Sequence, residues 1–158
     1  MKFKGEYLNG KRWNGWVFNY KGKKEFKMKY GRGEGKEYNK NGKLLFEGEY
    51  FNGLKNGKGK EFNKAGKIIY EGIYLDGLKN GKGKEYNYNG NIIFEGEYLN
   101  GEKNGNVKEY HDNGDIKFNG EYFKGKKWNG KGYDRNGNIT YELINGMEKL
   151  NNMMIMTF

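Results

Sequence analysis

The segments FEGEYFNGLKNGKGKEFNKAGKII (46–69), YEGIYLDGLKNGKGKEYNYNGNII (70–93) and FEGEYLNGEKNGNVKEYHDNGDIK (94–117) follow one another without a break, each 24 residues long. A chain that repeats at so short a period cannot gather a core from distant, unlike elements. It must stack like units, each burying its apolar face against the next. Aligned on an aromatic-x-Gly-x-Tyr signature, the units begin at Phe46, Tyr70, Phe94 and Phe118, and the same signature opens the chain at Phe3-Gly5-Tyr7. A copy shortened by about four residues reads Phe26-Met28-Tyr30, interrupted between Gly31 and Gly35, and a partial copy starts at Tyr141. The reading is six units and a stub over residues 1–145, with 146–158 as a cap or tail.

Within a unit, KIIYEGIYL (67–75) places Ile68, Tyr70, Gly72 and Tyr74 on one side of a strand and Lys67, Ile69, Glu71 and Ile73 on the other. DGLKNG (76–81) carries the turn pairs Asp-Gly and Asn-Gly, KGKEYN (82–87) reads as a shorter strand, and YNG (88–90) turns into the next unit. Each repeat is therefore two antiparallel strands. Six of them, at about 4.8 Å per strand, predict a ribbon on the order of 60 Å long. The fold expected is all-β: an elongated, single-layer antiparallel sheet of repeated hairpins. A short C-terminal helix is expected in MEKLNNMMIMTF, where Met147, Leu150, Met154 and Phe158 share a helical spacing.

Only 34% of the residues are hydrophobic, against 32% charged, which is too little for a compact globular core. The 14 Tyr, 10 Phe and 3 Trp recur at fixed positions, which argues against disorder. Stacking the units lines up Phe46, Tyr70, Phe94, Phe118 and Tyr141 in one column and Tyr50, Tyr74, Tyr98 and Tyr122 in a second. Phe62, Tyr86 and Tyr110 form a third, whose face strict alternation leaves open. Gly48, Gly72, Gly96 and Gly120 lie between the first two columns and leave room for rings to pack edge to face. These ladders replace a core. The same face, uncovered in a single layer, is the expected partner-binding surface, through Phe46, Tyr50, Tyr70, Tyr74, Phe94, Tyr98, Phe118 and Tyr122.

Chemistry is sparse. No cysteine or serine is present, His111 is the single histidine, and Thr140 and Thr157 are the aliphatic hydroxyls. His111 falls at the turn position held by Asn63 and Asn87 and reads as a turn residue. Glu47/Glu49 and Glu95/Glu97 recur beside lysines and read as a surface Lys/Glu ladder. NGKGKE lacks the Ser/Thr and the following helix of a phosphate loop, and DNGD (112–115) lacks a twelve-residue calcium loop. The expectation is no enzyme, no cofactor and no metal.

Charge is concentrated at one end. Residues 1–45 hold 13 Lys/Arg against 4 Asp/Glu, a net of +9, while 46–158 hold 17 against 16. Lys21, Lys23, Lys24, Lys27 and Lys29 follow Trp13, Trp16, Phe18 and Tyr20, a combination suited to anionic phospholipid headgroups or an acidic protein segment. Nucleic acid is disfavoured, because no recognisable DNA- or RNA-binding module is present. The absence of cysteine and of an apolar run after Met1 predicts a cytoplasmic protein, membrane-associated if the basic end docks to lipid. An unpaired end strand also invites two copies to join as a homodimer through their sheet ends.

YEGIYLDGLKNGKGKEY (70–86) resembles the MORN (membrane occupation and recognition nexus) repeat, whose pattern is aromatic-x-Gly-x-aromatic, then Gly, then Gly-x-Gly. The match spans residues 3 to 145 and departs from the pattern in placing Tyr where the second aromatic is commonly Trp, as in a variant repeat found in bacterial proteins. The resemblance implies a twisted sheet of hairpins acting as a scaffold for a protein partner, with phospholipid binding proposed for the family. Two other classes stay open at this point: a glycan-binding repeat module, and an antitoxin-like neutralising protein.

Overall fold

The computed structural model describes residues 2–19, 21–150 and 153–156, with side chains through Lys149. All regular structure among these residues is β-strand. The chain divides into two compact units, residues 1–78 and 79–158. In the first, β1 (Lys2–Leu8), β2 (Lys11–Phe18) and β3 (Lys24–Met28) form a three-stranded antiparallel sheet. It is followed by β4 (Arg32–Tyr38), β5 (Leu44–Phe51), β6 (Leu54–Phe62) and β7 (Ile68–Leu75), paired in that order.

The second unit holds β8 (Leu78–Tyr86), β9 (Ile92–Leu99), β10 (Glu102–Tyr110), β11 (Ile116–Phe123) and β12 (Lys126–Tyr133). β13 (Ile139–Ile144), β14 (Met147–Leu150) and β15 (Met153–Met156) complete it, again paired in chain order.

Two kinds of turn set this meander. At one end of each repeat a two-residue turn has positive φ at both positions, 50° at Asn52 and 85° at Gly53, which is the geometry that matches the twist of the strands it joins. At the other end an Asx turn closes the loop: the Asn63 side-chain oxygen accepts the backbone N–H groups of Ala65 and Lys67, at 2.9 and 3.1 Å. Successive hairpins are stitched at their tips, where the Gly77 N–H donates to the Lys55 carbonyl and the Gly125 N–H to the Lys103 carbonyl.

Glycine sits opposite glycine across the strands, as in Gly35↔Gly48, Gly48↔Gly59, Gly59↔Gly72 and Gly83↔Gly96. A Cβ on Gly48 would lie 2.5 Å from the Lys58 carbonyl oxygen and 2.6 Å from the Gly59 Cα, so no side chain fits there. Into the space the glycines leave, the rings lean. Phe46 meets Tyr50 and Tyr74 edge-on, with centroids 5.8 and 5.3 Å apart, and Phe94 meets Tyr98 at 5.5 Å and Tyr122 at 6.2 Å. Phe118 stacks on Tyr141 at 6.4 Å. The glycine-floored ladder expected from the sequence is the core of each unit.

Two features go beyond or depart from expectation. The shortened copy has a counterpart later in the chain. Residues 3–31 and 118–146 align without a gap at an offset of 115, sharing Phe, Gly, Tyr, Gly, Lys, Trp-Asn-Gly and the closing Gly. Their geometry also matches. Tyr30 and Asn145 both have φ of 53°, the Gly31 N–H donates to the Trp13 carbonyl as Gly146 does to Trp128, and Lys29↔Arg32 pair as Ile144↔Met147 do. The chain thus uses two unit types, and the Trp-Asn-Gly type with its short hairpin occurs twice. The second is a correction and concerns the tail. Met147–Leu150 and Met153–Met156 are strands, not a helix, because the tight turn at Asn145-Gly146 aims Met147 back along β13; Phe158 lies outside the described residues. A lone helix of about twelve residues is marginal in water, whereas pairing satisfies the backbone at once.

Candidate interaction surface

The eight ladder rings expected to receive a partner are Phe46, Tyr50, Tyr70, Tyr74, Phe94, Tyr98, Phe118 and Tyr122. All are buried, between 0 and 9% exposed. Phe46 and Tyr74 lie against Gly59, Phe118 lies against Gly130, and Phe46, Phe94 and Phe118 each have a lysine over the ring. The Lys55 ammonium sits 3.9 Å over Phe46, Lys103 3.7 Å over Phe94 and Lys127 4.5 Å over Phe118.

Each of these lysines also belongs to a recurring triad. The Tyr50 hydroxyl donates to Glu37 at 2.8 Å, and Lys55 pairs with the same carboxylate at 3.2 Å. Tyr98 and Lys103 share Glu85 at 2.8 and 2.9 Å, and Tyr122 and Lys127 share Glu109. Glu61 accepts from Tyr74 at 2.8 Å. Burial and then the adjacent carboxylate push the Tyr50, Tyr74 and Tyr122 hydroxyls well above the usual phenol range. Burial pulls Glu109 upward, but Lys127 and Tyr122 outweigh it and hold its carboxyl below the ordinary value. The ladder face is therefore closed, with the Tyr50, Tyr74, Tyr98 and Tyr122 hydroxyls each held by a glutamate.

The reverse face differs. Here Lys36↔Glu47↔Lys60↔Glu71 run in direct register across β4 to β7, with ion-pair distances of 3.4 Å for Lys36–Glu47 and 3.8 Å for Lys60–Glu71. In the second unit Lys84 pairs with Glu95 at 2.7 Å. The third aromatic column belongs to this face: the Tyr110 hydroxyl donates to Glu95 at 2.7 Å, which together with burial pushes Tyr110 up to about 12. Between the charged rows stand Leu45, Ile69 and Ile73, each more than a third exposed, with Leu54 and Leu75 nearer the hairpin tips. The reverse face thus mixes charged rows with exposed aliphatic side chains.

At the N-terminal sheet the same row changes sign. Lys4↔Trp16↔Lys27 lie in register where the repeats carry Glu, Lys and Glu. Lys21, Lys23, Lys24, Lys27 and Lys29 are all exposed; Lys24 sits 4.6 Å over Trp16 and Lys29 5.4 Å over the Tyr30 ring. Reading the composition picked out the lysines but not the row. Lys4 and Trp16 could have been found by noting which residues stand at the Glu95 and Lys84 positions of the aligned repeats.

His111 occupies the expected turn, its N–H bonding the Asp115 carbonyl, and its Nε2 donates to the Tyr133 carbonyl at 3.0 Å. Among the described residues no group of three or more His, Asp or Glu could hold a metal ion.

Comparison with curated proteins gives no match. Comparison with protein families matches the MORN repeat variant at residues 32–52, 55–76, 79–100 and 103–124, more than half of the chain. MORN repeats are commonly non-enzymatic modules that bind proteins or membranes. With four consecutive copies in register on a sheet of stacked hairpins, this chain belongs to the MORN repeat family in its variant form.

Proposed function

We propose that the chain is a non-enzymatic scaffold that holds a protein partner against the reverse face of its repeats. A basic N-terminal sheet serves as a second dock for an acidic or anionic surface. The observation that carries the reading is the division between faces: one is sealed by its own rings and triads, while the other interleaves Leu45, Ile69 and Ile73 with charged rows. The eight ladder rings hold the scaffold rigid rather than touching the partner. The cytosol is the setting that suits a chain without disulfides.

The test is affinity capture with the intact chain, an Ile69→Asp/Ile73→Asp variant and a Tyr74→Phe variant, each first checked for a native circular-dichroism spectrum. One protein recovered by the intact chain and by Tyr74→Phe, and lost with the Ile pair, supports the reading. Loss with Tyr74→Phe but not with the Ile pair would return the role to the ladder face. The basic dock is favoured by the Lys4–Trp16–Lys27 row. It predicts salt-sensitive sedimentation with phosphatidylserine vesicles, abolished when Lys21, Lys23, Lys24, Lys27 and Lys29 are changed to Gln; no sedimentation at low salt would remove membranes from the reading.

A further inference from the structure

In the repeats β5, β6, β9, β10 and β11 each pair with a strand on either side, and the consequence is visible in the tyrosine column. Tyr50, Tyr74, Tyr98 and Tyr122 are at most 9% exposed, yet Tyr7, at the same place in β1, is 60% exposed. Those four hydroxyls reach a glutamate thirteen residues earlier, on the preceding strand. Among the described residues no strand lies beyond β1, so Tyr7 leans on Phe3 alone, at 5.2 Å. An edge of this kind is a template for another strand.

The sheet itself states what an incoming strand must provide. Glycine faces glycine at the centre of many strand pairs, as in Gly5↔Gly15, and on the reverse face lysine faces glutamate, as in Lys36↔Glu47 and Lys60↔Glu71. Strand β1 reads Lys2-Phe3-Lys4-Gly5-Glu6-Tyr7-Leu8. Two copies of it, laid antiparallel about a two-fold axis through Gly5, satisfy both rules at once. Gly5 faces Gly5 of the second copy, Lys4 faces its Glu6, and Glu6 faces its Lys4.

On the other face Phe3, which already lies over Gly15 beneath Arg12, comes opposite Tyr7 of the second copy, twice, and the exposed Tyr7 rings gain the central glycine pair to close over. Two rings sharing one glycine already occur in this fold, since a Cβ on Gly59 would meet Phe46 at 2.6 Å and Tyr74 at 3.0 Å. Lys4 has no carboxylate partner among the described residues, and Glu6 holds only the Asn14 amide, at 2.9 Å.

We propose that the outer edge of β1 is a self-complementary interface through which two copies of this chain join, in the register that sets Lys4 against Glu6 of the second copy. Symmetry makes the claim sharp, because any single charge reversal creates two like-charge contacts and the double reversal restores two opposite ones. The experiment is sedimentation equilibrium of the full chain, of Lys4→Glu, of Glu6→Lys and of the Lys4→Glu/Glu6→Lys double variant, each with its circular-dichroism spectrum recorded. The intact chain and the double variant should dimerise alike, and each single variant should dissociate at least about tenfold more readily.

A second measurement does not depend on the variants. In a mixture of 15N-labelled and unlabelled chains, a zero-length carbodiimide cross-link should join Lys4 of one isotope to Glu6 of the other. A monomer at all concentrations overturns the proposal. So does a dimer indifferent to the single reversals, or mixed-isotope cross-links at other positions only.

Discussion

The triad on the ladder face makes a quantitative claim that a surface ion pair does not. Consider Tyr98, Glu85 and Lys103. The Tyr98 hydroxyl donates to Glu85 at 2.8 Å, Lys103 holds the other carboxylate oxygen at 2.9 Å, and both charged side chains are about three-quarters buried. Replacing Tyr98 by Phe removes one hydrogen bond to a charged acceptor that keeps its lysine, for a cost of about 1.5 kcal/mol. Replacing Glu85 by Ala strips the acceptor from two groups at once. It leaves a hydroxyl and an ammonium in a half-dry site 3.7 Å from the Phe94 ring, and the cost is about 3 kcal/mol.

Because the two changes share one interaction, the double variant should cost less than their sum, by about 1 kcal/mol. Lys36→Ala, which breaks the exposed Lys36–Glu47 pair, is the control and should cost under about 0.5 kcal/mol. Urea unfolding followed by far-ultraviolet circular dichroism measures these values. Amide exchange across β8 to β10 shows whether the loss stays local, as expected of a chain stabilised by nearest-neighbour contacts. If Glu85→Ala costs no more than Lys36→Ala, or if the double variant is simply additive, the triad is not part of the core and the reasoning fails.

Two further outcomes follow from the same geometry. Gly48→Ala, whose Cβ would press on the backbone of Lys58 and Gly59, should cost about 1 to 3 kcal/mol in urea unfolding, since strands rather than a side-chain tip must give way. Stability should also fall at both ends of the pH scale. Tyr50, Tyr74, Tyr110 and Tyr122 are raised in the folded chain, so their contribution is complete below about pH 10 and is lost as the pH climbs through their folded values. Glu95, held low by Lys84 and Tyr110, and Glu109, held low against its burial by Lys127 and Tyr122, contribute above the ordinary carboxyl range and lose that contribution as the pH drops through their folded values. A urea midpoint that stays flat from pH 9 to about pH 12 would contradict the tyrosine part.

The period, the hairpins, the two inner ring columns and the role of Gly48 were legible because each recurs at a fixed step and has a direct steric meaning. The face of the third column was not. Alternation separates Glu85 from Tyr86, but only the pairing Gly83↔Gly96 and Glu85↔Phe94 shows that Glu85 joins the ladder face and Tyr86 its reverse. The burial of the rings was missed for a related reason. A single layer suggests exposure, whereas lysine stems such as Lys103 and triads such as Tyr98–Glu85–Lys103 cover the rings from within the same sheet. The second unit is irregular only against the regular repeats. Set beside residues 118–146 it is a proper copy of a different unit. The tail misled because Met147, Leu150 and Met154 have a spacing that suits a helix, while the turn at Asn145-Gly146 decides the path.

The most direct test of the account, in which the ladder rings are core and the partner is met elsewhere, is the reactivity of individual tyrosines. Dilute folded protein treated briefly with tetranitromethane and mapped by mass spectrometry should be nitrated at Tyr7, Tyr30 and Tyr88, which are 60, 59 and 78% exposed. Tyr50, Tyr70, Tyr74, Tyr98 and Tyr122 should be spared until the chain is unfolded in urea. Nitration of Tyr70 or Tyr74 in the folded protein as fast as that of Tyr88 would mean that the ladder lies open to solvent, and would contradict the account.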